Sequence, residues 1–595
     1  MSHDLGKENG FFFMTPHEAE RIDTKIKSRI SRCDELVGQT RKPRDQNASA
    51  RLQAMAGFFS DMAADEQNNG IRPTSKNLSV PVLLAGRPYP PCTVPVNELR
   101  HMRVPDLHID THHRGSLLIL QRTSPVVKFR THSWIVVKDQ LSDESERLEL
   151  HLHNSWYGED ILESARHLAL KEPYFTLNND EEAVLWVDHP SDLVVLTDAD
   201  GFSVSPYLLP DFSIPGAELP RKTTSQQCKE IGNNALRKGF LLQAYRCYSE
   251  GLQIERMNAS AVDDINADLL RNRAHLNLLS GSFDLANADA ISAIRRKDMQ
   301  LDAKAFFRAG CAAYNLGQFE KALSFFQDQL RLIPDDKDGI AQIHKAELRL
   351  NEQKTGVYDF ISLKSHLTSA HLRVDVGSFV HATEIRDSGG KGRGLFATRR
   401  ICVGELILCE KAFCAIFTCE RQAWTAMAYD SRGGTLKGHP AGLTQAVMRK
   451  LIGNPSQVEK VMDLYADYEG IGNKLFIVDG NPVIDAFQLY DIVARNAIGL
   501  DPSSSFGADG ESACHYGAGL WIRSSYSNHS CVPNAEKEIL GDLIILRAVR
   551  TIRKGEEITH DYVGTGNYNE RRKVLNTNWG FQCTCRLCVA ESIGK

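Results

Sequence analysis

The rhythm of apolar and polar positions changes along this chain, and each change marks a different kind of element. Residues 1–75 open with a polar stretch. From 16 to 65 apolar positions then recur at helical spacing, as in "TPHEAERIDTKIKSRISRCDEL", with Pro16 well placed at a helix start. The polar run "EQNNGIRPTSKNLS" reads as a linker. Across 96–210 the pattern becomes short β-branched or alternating runs: "GSLLILQRT", "PVVKFRTHSWIVVKD", "ERLELHLHN" and "EAVLWVDHPSDLVVL". Turn residues separate them, which predicts a small antiparallel sheet or barrel. Within it, His108, Asp110 and His112 alternate, so an extended strand would carry all three on one face. Packed or solvated side chains are the expectation there, ahead of a metal site.

Residues 222–352 return to helical spacing, and they repeat. Gly239, Gly281 and Gly317 fall in turns; Ala244, Ala286 and Ala322 follow five residues later, and Tyr248, Ala290 and Phe326 four beyond those. Small residues let paired helices approach, and an aromatic fills the space above. The alanines stand 42 and 36 residues apart, close to the tetratricopeptide period of about 34. The three units resemble tetratricopeptide repeats, which stack into a concave surface suited to a peptide or protein partner.

The last third reads as strands around a helical insert. In "EIRDSGGKGRGLFATRRICVGELILCE", Gly390, Gly392 and Gly394 spell a spaced-glycine pattern. A strand, a turn and a second strand come after these glycines, whereas a dinucleotide loop must run into a helix. Residues 421–495, with "LTQAVMRKLI" and "PSQVEKVMDLYADYEG", form the insert. Beyond it come "NHSCVPN", two strand-like runs, "GEEITHDY", and the terminal "NWGFQCTCRLC". Cys583, Cys585 and Cys588 offer three of the four thiolates that a closed tetrahedral zinc site requires.

Composition narrows the classes. A net charge of −5 gives no global basic field, so nucleic acid is not expected as a partner. The apolar run Phe11–Met14 is too short for an export signal, and no segment reaches the length of a membrane span. The expectation is a nuclear or cytoplasmic protein that is not secreted, whose clustered cysteines serve as metal ligands or reactive groups before disulfides. Cys33, Cys92, Cys228 and Cys311 stand singly and read as packing residues.

Together "KGRGLFAT", "NHSCVPN", "GEEITHDY" and "NWGFQCTCRLC" resemble the signature segments of SET-domain lysine methyltransferases. The likeness is to the SET-and-MYND group and to fungal tetratricopeptide–SET proteins, and it covers about 375–590 plus the repeats. Cys409, Cys414 and Cys419 are too few and too widely spaced for a MYND finger.

The implied fold is multidomain α+β. It comprises an N-terminal helical region, a β domain, an α-solenoid, a first SET segment at 375–420, the insert, a core SET segment at 496–565 and a zinc-binding tail at 566–595. The resemblance makes Cys531 the fourth zinc ligand and Tyr562 the catalytic tyrosine. It assigns Lys391, Gly392, Arg393, Gly394, Asn496, Asn528, His529 and Phe581 to S-adenosylmethionine, with Phe581 against adenine. Tyr526 stands where a leucine is common and would line the lysine channel. The implied activity is methyl transfer to a lysine of a protein substrate, histone or non-histone, with a substrate or partner recruited by the repeats. The rival reading is a weakly active or inactive scaffold.

Overall fold

The computed structural model describes residues 16–68, 82–196, 224–257, 263–420, 425–500 and 517–593, apart from positions 45, 86, 130, 140–141, 143, 152–160, 165, 297, 369–370, 431–434 and 565. The chain forms two compact units. One holds Met1–Arg295, Thr425–Val458 and Tyr468–Leu489; the other holds Arg296–Trp424, Glu459–Asp467 and Tyr490–Lys595.

In the first unit, helices Pro16–Leu36 and Gln46–Asn68 match the expected N-terminal pattern; the linker beyond Asn68 lies outside the described residues. The β domain differs from the antiparallel expectation. Among the described residues ten strands form a mixed sheet, in which Arg100–Met102 runs parallel to Ser116–Arg122 and Ala183–Val187 parallel to Ser145–His151. Strand Ser145–His151 is buried throughout, so its polar residues need partners. Arg44 and Arg41 pair with Glu146, while Arg147 and His151 flank Glu149. Asp110 adopts positive φ, which breaks the extended run across His108–His112. It accepts hydrogen bonds from Tyr174 and Thr176, and His112 stacks on Tyr174 at 3.9 Å. These are packing residues.

Helix pairs Ser225–Arg237/Leu241–Met257 and Asp263–Leu279/Phe283–Ser292 build the first two repeats here. The insert, expected to be mainly helical, also contributes strands: Ala426–Asp430 pairs in parallel with Val82–Ala85 and antiparallel with Thr435–His439. Helix Ala441–Gly453 ends on Asn454, which is fully buried. Its Oδ1 accepts from the N–H groups of Phe283 (2.8 Å) and Asp284 (3.3 Å), and its Nδ2 donates to Gly281 O at 2.9 Å. The insert therefore caps a repeat helix whose own N-cap, Ser282, makes no capping bond. His189, fully buried, donates from Nε2 to Tyr89 O and accepts at Nδ1 from the N–H of Ala486. Burial pushes its pKa down to about 3, so it serves both bonds as the neutral ring.

The second unit continues the repeats with Met299–Asn315, Phe319–Leu332 and Lys337–Thr355. Gly310 stands under Phe326: a Cβ there would lie 2.5 Å from the ring. Gly232 stands under Tyr248 in the same way, while the middle repeat has the buried Ala274 and Ala290 at the corresponding positions. A Gly310→Ala substitution is expected to cost about 1–3 kcal/mol by overpacking, read as a lowered thermal midpoint. Combining it with Phe326→Leu should recover part of that loss.

The last repeat helix is followed by the short helix Phe360–His366 and then by strands. Glu352 accepts from the N–H of Gly377 at 2.7 Å, and the Tyr314 hydroxyl donates to Asp375. Beyond it, Leu406–Lys411, Leu543–Ala548 and Ala535–Leu540 form one antiparallel sheet and Cys414–Phe417, Gly517–Leu520 and Ile498–Leu500 another. A third sheet, of four strands, carries the site.

Candidate active site

The four-stranded sheet assembles three remote sequence segments. Thr383–Asp387 and Arg393–Ala397 form a hairpin; Arg393–Ala397 also pairs with Glu557–His560, whose other edge receives Asn528–His529 in parallel. Gly392 takes φ +77° in the hairpin turn, a conformation a side chain would strain. Gly394 has a different reason to be glycine: a Cβ there would lie 2.4 Å from Glu557 Oε1 and 3.1 Å from Asn528 Nδ2. That carboxylate is the hub of the sheet, accepting from Ser388 Oγ at 2.6 Å and Asn528 Nδ2 at 2.7 Å. Asn534, buried beside it, donates to Glu557 O at 2.7 Å and accepts from the N–H of Thr559 at 2.8 Å. No residue pattern marked Glu557 or Asn534 as more than part of a motif; the geometry shows them binding the strands together.

Tyr562 comes just after this sheet. Its hydroxyl donates to Ser527 O at 2.8 Å, and its ring lies 4.8 Å from His560 and 5.0 Å from Trp579. Burial, reinforced by the Glu557 charge, holds the phenol pKa well above its ordinary value, so it stays protonated. Trp579 ends helix Tyr568–Trp579, donating from its indole nitrogen to Arg495 O at 3.2 Å. Phe581 lies two residues on, 6.2 Å from the His529 ring.

The insert supplies a wall that residue spacing did not reveal. Asp463 accepts from the Tyr526 hydroxyl at 2.6 Å and pairs with Arg393, whose guanidinium lies 5.1 Å over the Tyr526 ring. Tyr465 O accepts from Asn496 Nδ2 at 2.8 Å, as does Ile492 O. Asp467 pairs with Arg495, which also donates to Asn578 O. Both amides thus spend their nitrogens on the protein, Asn496 on Tyr465 and Ile492, Asn528 on Glu557 and Arg393 O. Their carbonyl oxygens remain as acceptors. Lys391 and Gly392 lie exposed on the hairpin turn.

The cysteines predicted as ligands converge. One sulfur from each of Cys531, Cys583, Cys585 and Cys588 lies within 4.8 Å of all the others, with Cys531 3.9 Å from Cys583 and 3.5 Å from Cys588. Tetrahedral zinc with bonds of about 2.3 Å sets sulfurs about 3.8 Å apart, so the set fits such an ion. Burial, together with the Cys588 hydrogen bond and the charges of Cys583 and Cys585, drives the Cys531 pKa up. Burial opposes ionisation of Cys585 too, but bonds from Cys588 and Cys583 outweigh it and bring that thiol to about 7. Four thiols this close resist joint ionisation unless a cation sits among them. Arg571, beside Cys531 and Cys588 and paired with Glu591, adds positive charge at the rim. Among the described residues, Cys409, Cys414 and Cys419 form no such group.

Comparison with known proteins agrees with this geometry. Residues 392–563 match the SET domain family. A protein of Gibberella zeae described as "Methyltransferase" is 29% identical over 547 residues, covering 88% of this chain and 72% of that protein. The chain carries a SET domain and is similar over most of its length to a protein described as a methyltransferase. The histone-lysine N-methyltransferase SMYD3 of Homo sapiens is 31% identical to this chain over 171 residues, 25% of this chain and 39% of that protein. Among solved structures, the second TPR domain of human RPAP3, in complex with an HSP70 peptide, is 28% identical, covering 21% of this chain and 94% of that domain, with a TM-score of 0.18. Among the described residues no helix is long and apolar enough to cross a membrane.

Proposed function

We infer that the protein transfers a methyl group from S-adenosylmethionine to the side-chain amine of a lysine in a protein substrate. S-adenosylmethionine, when bound, supplies an electrophilic methyl group on a sulfonium centre. The chain's own residues must then hold that group, admit the lysine and align the two. The observation that carries the reading is the pairing of the Tyr562 hydroxyl with Ser527 O, beside the glycine hairpin and under the cysteine-held tail.

An unperturbed lysine has a pKa of about 10.4, so fewer than about one in a thousand is a free amine at neutral pH. An enclosed approach lined by Tyr526, with its neutral phenol, disfavours the ammonium and promotes proton loss. The oxygens of Tyr562 and Ser527 present a fixed electronegative pair to the reacting centre, and alignment of the partners contributes up to about 7–11 kcal/mol. The Asn496 and Asn528 carbonyl oxygens suit the ammonium of the cofactor's amino-acid part. Lys391, Gly392, Arg393 and Gly394 offer the hairpin face, and Phe581 an aromatic surface for adenine. The fitted sulfur set would hold a structural zinc that fastens the tail. The repeats are assigned to recruitment of the substrate or of a partner peptide.

Calorimetry with S-adenosylmethionine, followed by labelled-cofactor incubation with a whole-cell extract, tests the reading. Cofactor binding and discrete labelled proteins are expected. No binding at millimolar cofactor favours the scaffold.

Asp463 and Tyr526 give a second expected outcome. Tyr526→Phe removes a hydroxyl from the channel and its bond to Asp463, so the share of more highly methylated product should rise. Mass spectrometry of a methylated peptide checks this, and an unchanged product distribution removes Tyr526 from the channel.

A further inference from the structure

We propose that the His529 side chain is a positioning residue that ties the cysteine cluster to Tyr562. This rests on the methyltransferase reading and refines one part of it: the resemblance gives His529 to the cofactor, whereas the geometry gives both nitrogens of its side chain protein partners. The imidazole has no solvent exposure, and both of its nitrogens face protein partners. Nδ1 accepts from the backbone N–H of Tyr562 at 3.1 Å, which places the ring proton on Nε2. Nε2 points at Cys531 Sγ, 3.3 Å away. The Asp561 carboxylate, 3.5 Å from Nδ1, is the more distant neighbour. The ring lies 5.3 Å from Tyr562 and 6.2 Å from Phe581, so it is wedged between the strand end and the tail.

The physical content is a continuous path: cysteine sulfur, imidazole, then the amide of the residue whose hydroxyl faces Ser527 O. A thiolate shared with a cation is a fixed acceptor, so it holds the plane of the ring. The ring in turn holds the Tyr562 amide, and through it the start of that side chain. Outer-shell hydrogen bonds of this kind commonly carry about 10–100-fold effects on metal affinity or activity when removed. With the cluster disordered, the imidazole keeps one anchor, and Tyr562 loses the alignment on which methyl transfer depends.

Two substitutions separate the two halves of the path. His529→Asn keeps an acceptor near the Nδ1 position but cannot reach Cys531. His529→Gln extends a donor towards Cys531 and gives up the Nδ1 acceptor. Both variants are expected to bind S-adenosylmethionine within about threefold of the parent by calorimetry. Both should lose about 10–100-fold in kcat with KM nearly unchanged. Zinc release to a chromogenic chelator should accelerate in His529→Asn and stay near parental in His529→Gln. In fluorotyrosine-labelled full-length protein, with the resonance assigned by Tyr562→Phe, chelation should shift the Tyr562 fluorine signal in the parent and much less in His529→Asn.

Parental kcat and zinc release in both variants, or a tenfold loss of cofactor affinity with parental kcat, overturns the proposal. An inactive parent would defeat the methyltransferase reading alone. The zinc-release and fluorine measurements would still decide the role of His529.

Discussion

Tyr562→Phe is expected to leave a folded protein that binds S-adenosylmethionine and turns over at least about a hundredfold more slowly. The magnitude reflects the scale of removing one preorganised polar contact at a reacting centre. The ring contacts with His560 and Trp579 survive the change, because they involve the aromatic face and not the hydroxyl. What is lost is the bond to Ser527 O, which leaves one carbonyl under-satisfied at a cost of about 1–3 kcal/mol. A lowered thermal midpoint with retained cofactor binding should therefore accompany the loss of turnover. Labelled-methyl transfer and calorimetry on the same preparation check both halves. Turnover at the parental rate would take Tyr562 out of the chemistry.

The larger structural effect is expected from Cys531→Ala. It removes the one ligand that precedes the tail by some fifty residues, so the remaining three cysteines can hold an ion without fastening the tail to the strands. Structural zinc sites in small domains contribute about 10–16 kcal/mol. Loss of most of that should release helix Tyr568–Trp579 and the residues beyond it, with Trp579 and Phe581 leaving their places beside Tyr562 and His529. Zinc content should fall below one equivalent, limited proteolysis should cut near the tail, and cofactor affinity should drop more than about tenfold. Cys402→Ala, at an exposed cysteine remote from the cluster in sequence, should change none of these.

Local regularities were legible in the residues alone. The helix pairs arise from small residues and aromatics at fixed spacing, and Gly239, Gly281 and Gly317 indeed take positive φ in the turns. The convergence of Cys531 with the three terminal cysteines accords with motif order. The insert was not legible, because its partners are set by contacts hundreds of residues away. Nothing in "AMAYD" announces a parallel pairing with Val82–Ala85, and nothing near Asn454 announces the helix it caps. Asp463 sits in a segment of helical spacing and gives no sign that it will meet Tyr526 and Arg393. The mixed β sheet escaped for the same reason: alternation within a strand says which face is buried, not whether its neighbour runs the same way. His529 lay inside a recognised motif, yet its spacing could not tell a ligand contact from a ring enclosed between Cys531 and Tyr562.

The capping of Phe283–Ser292 by Asn454 bears on how the protein can be cut down for study. A shortened chain starting near residue 375 would retain all four thiols and Tyr562, yet it would carry residues 425–458 and 468–489 without the repeat helices and β strands they dock on. Asn454, buried in the whole molecule, would then lose its partners Phe283, Asp284 and Gly281, and such a fragment should aggregate or need a chaperone. Heredity is under the same constraint: a lineage that discards the amino-terminal half has to reshape or delete this excursion at the same time.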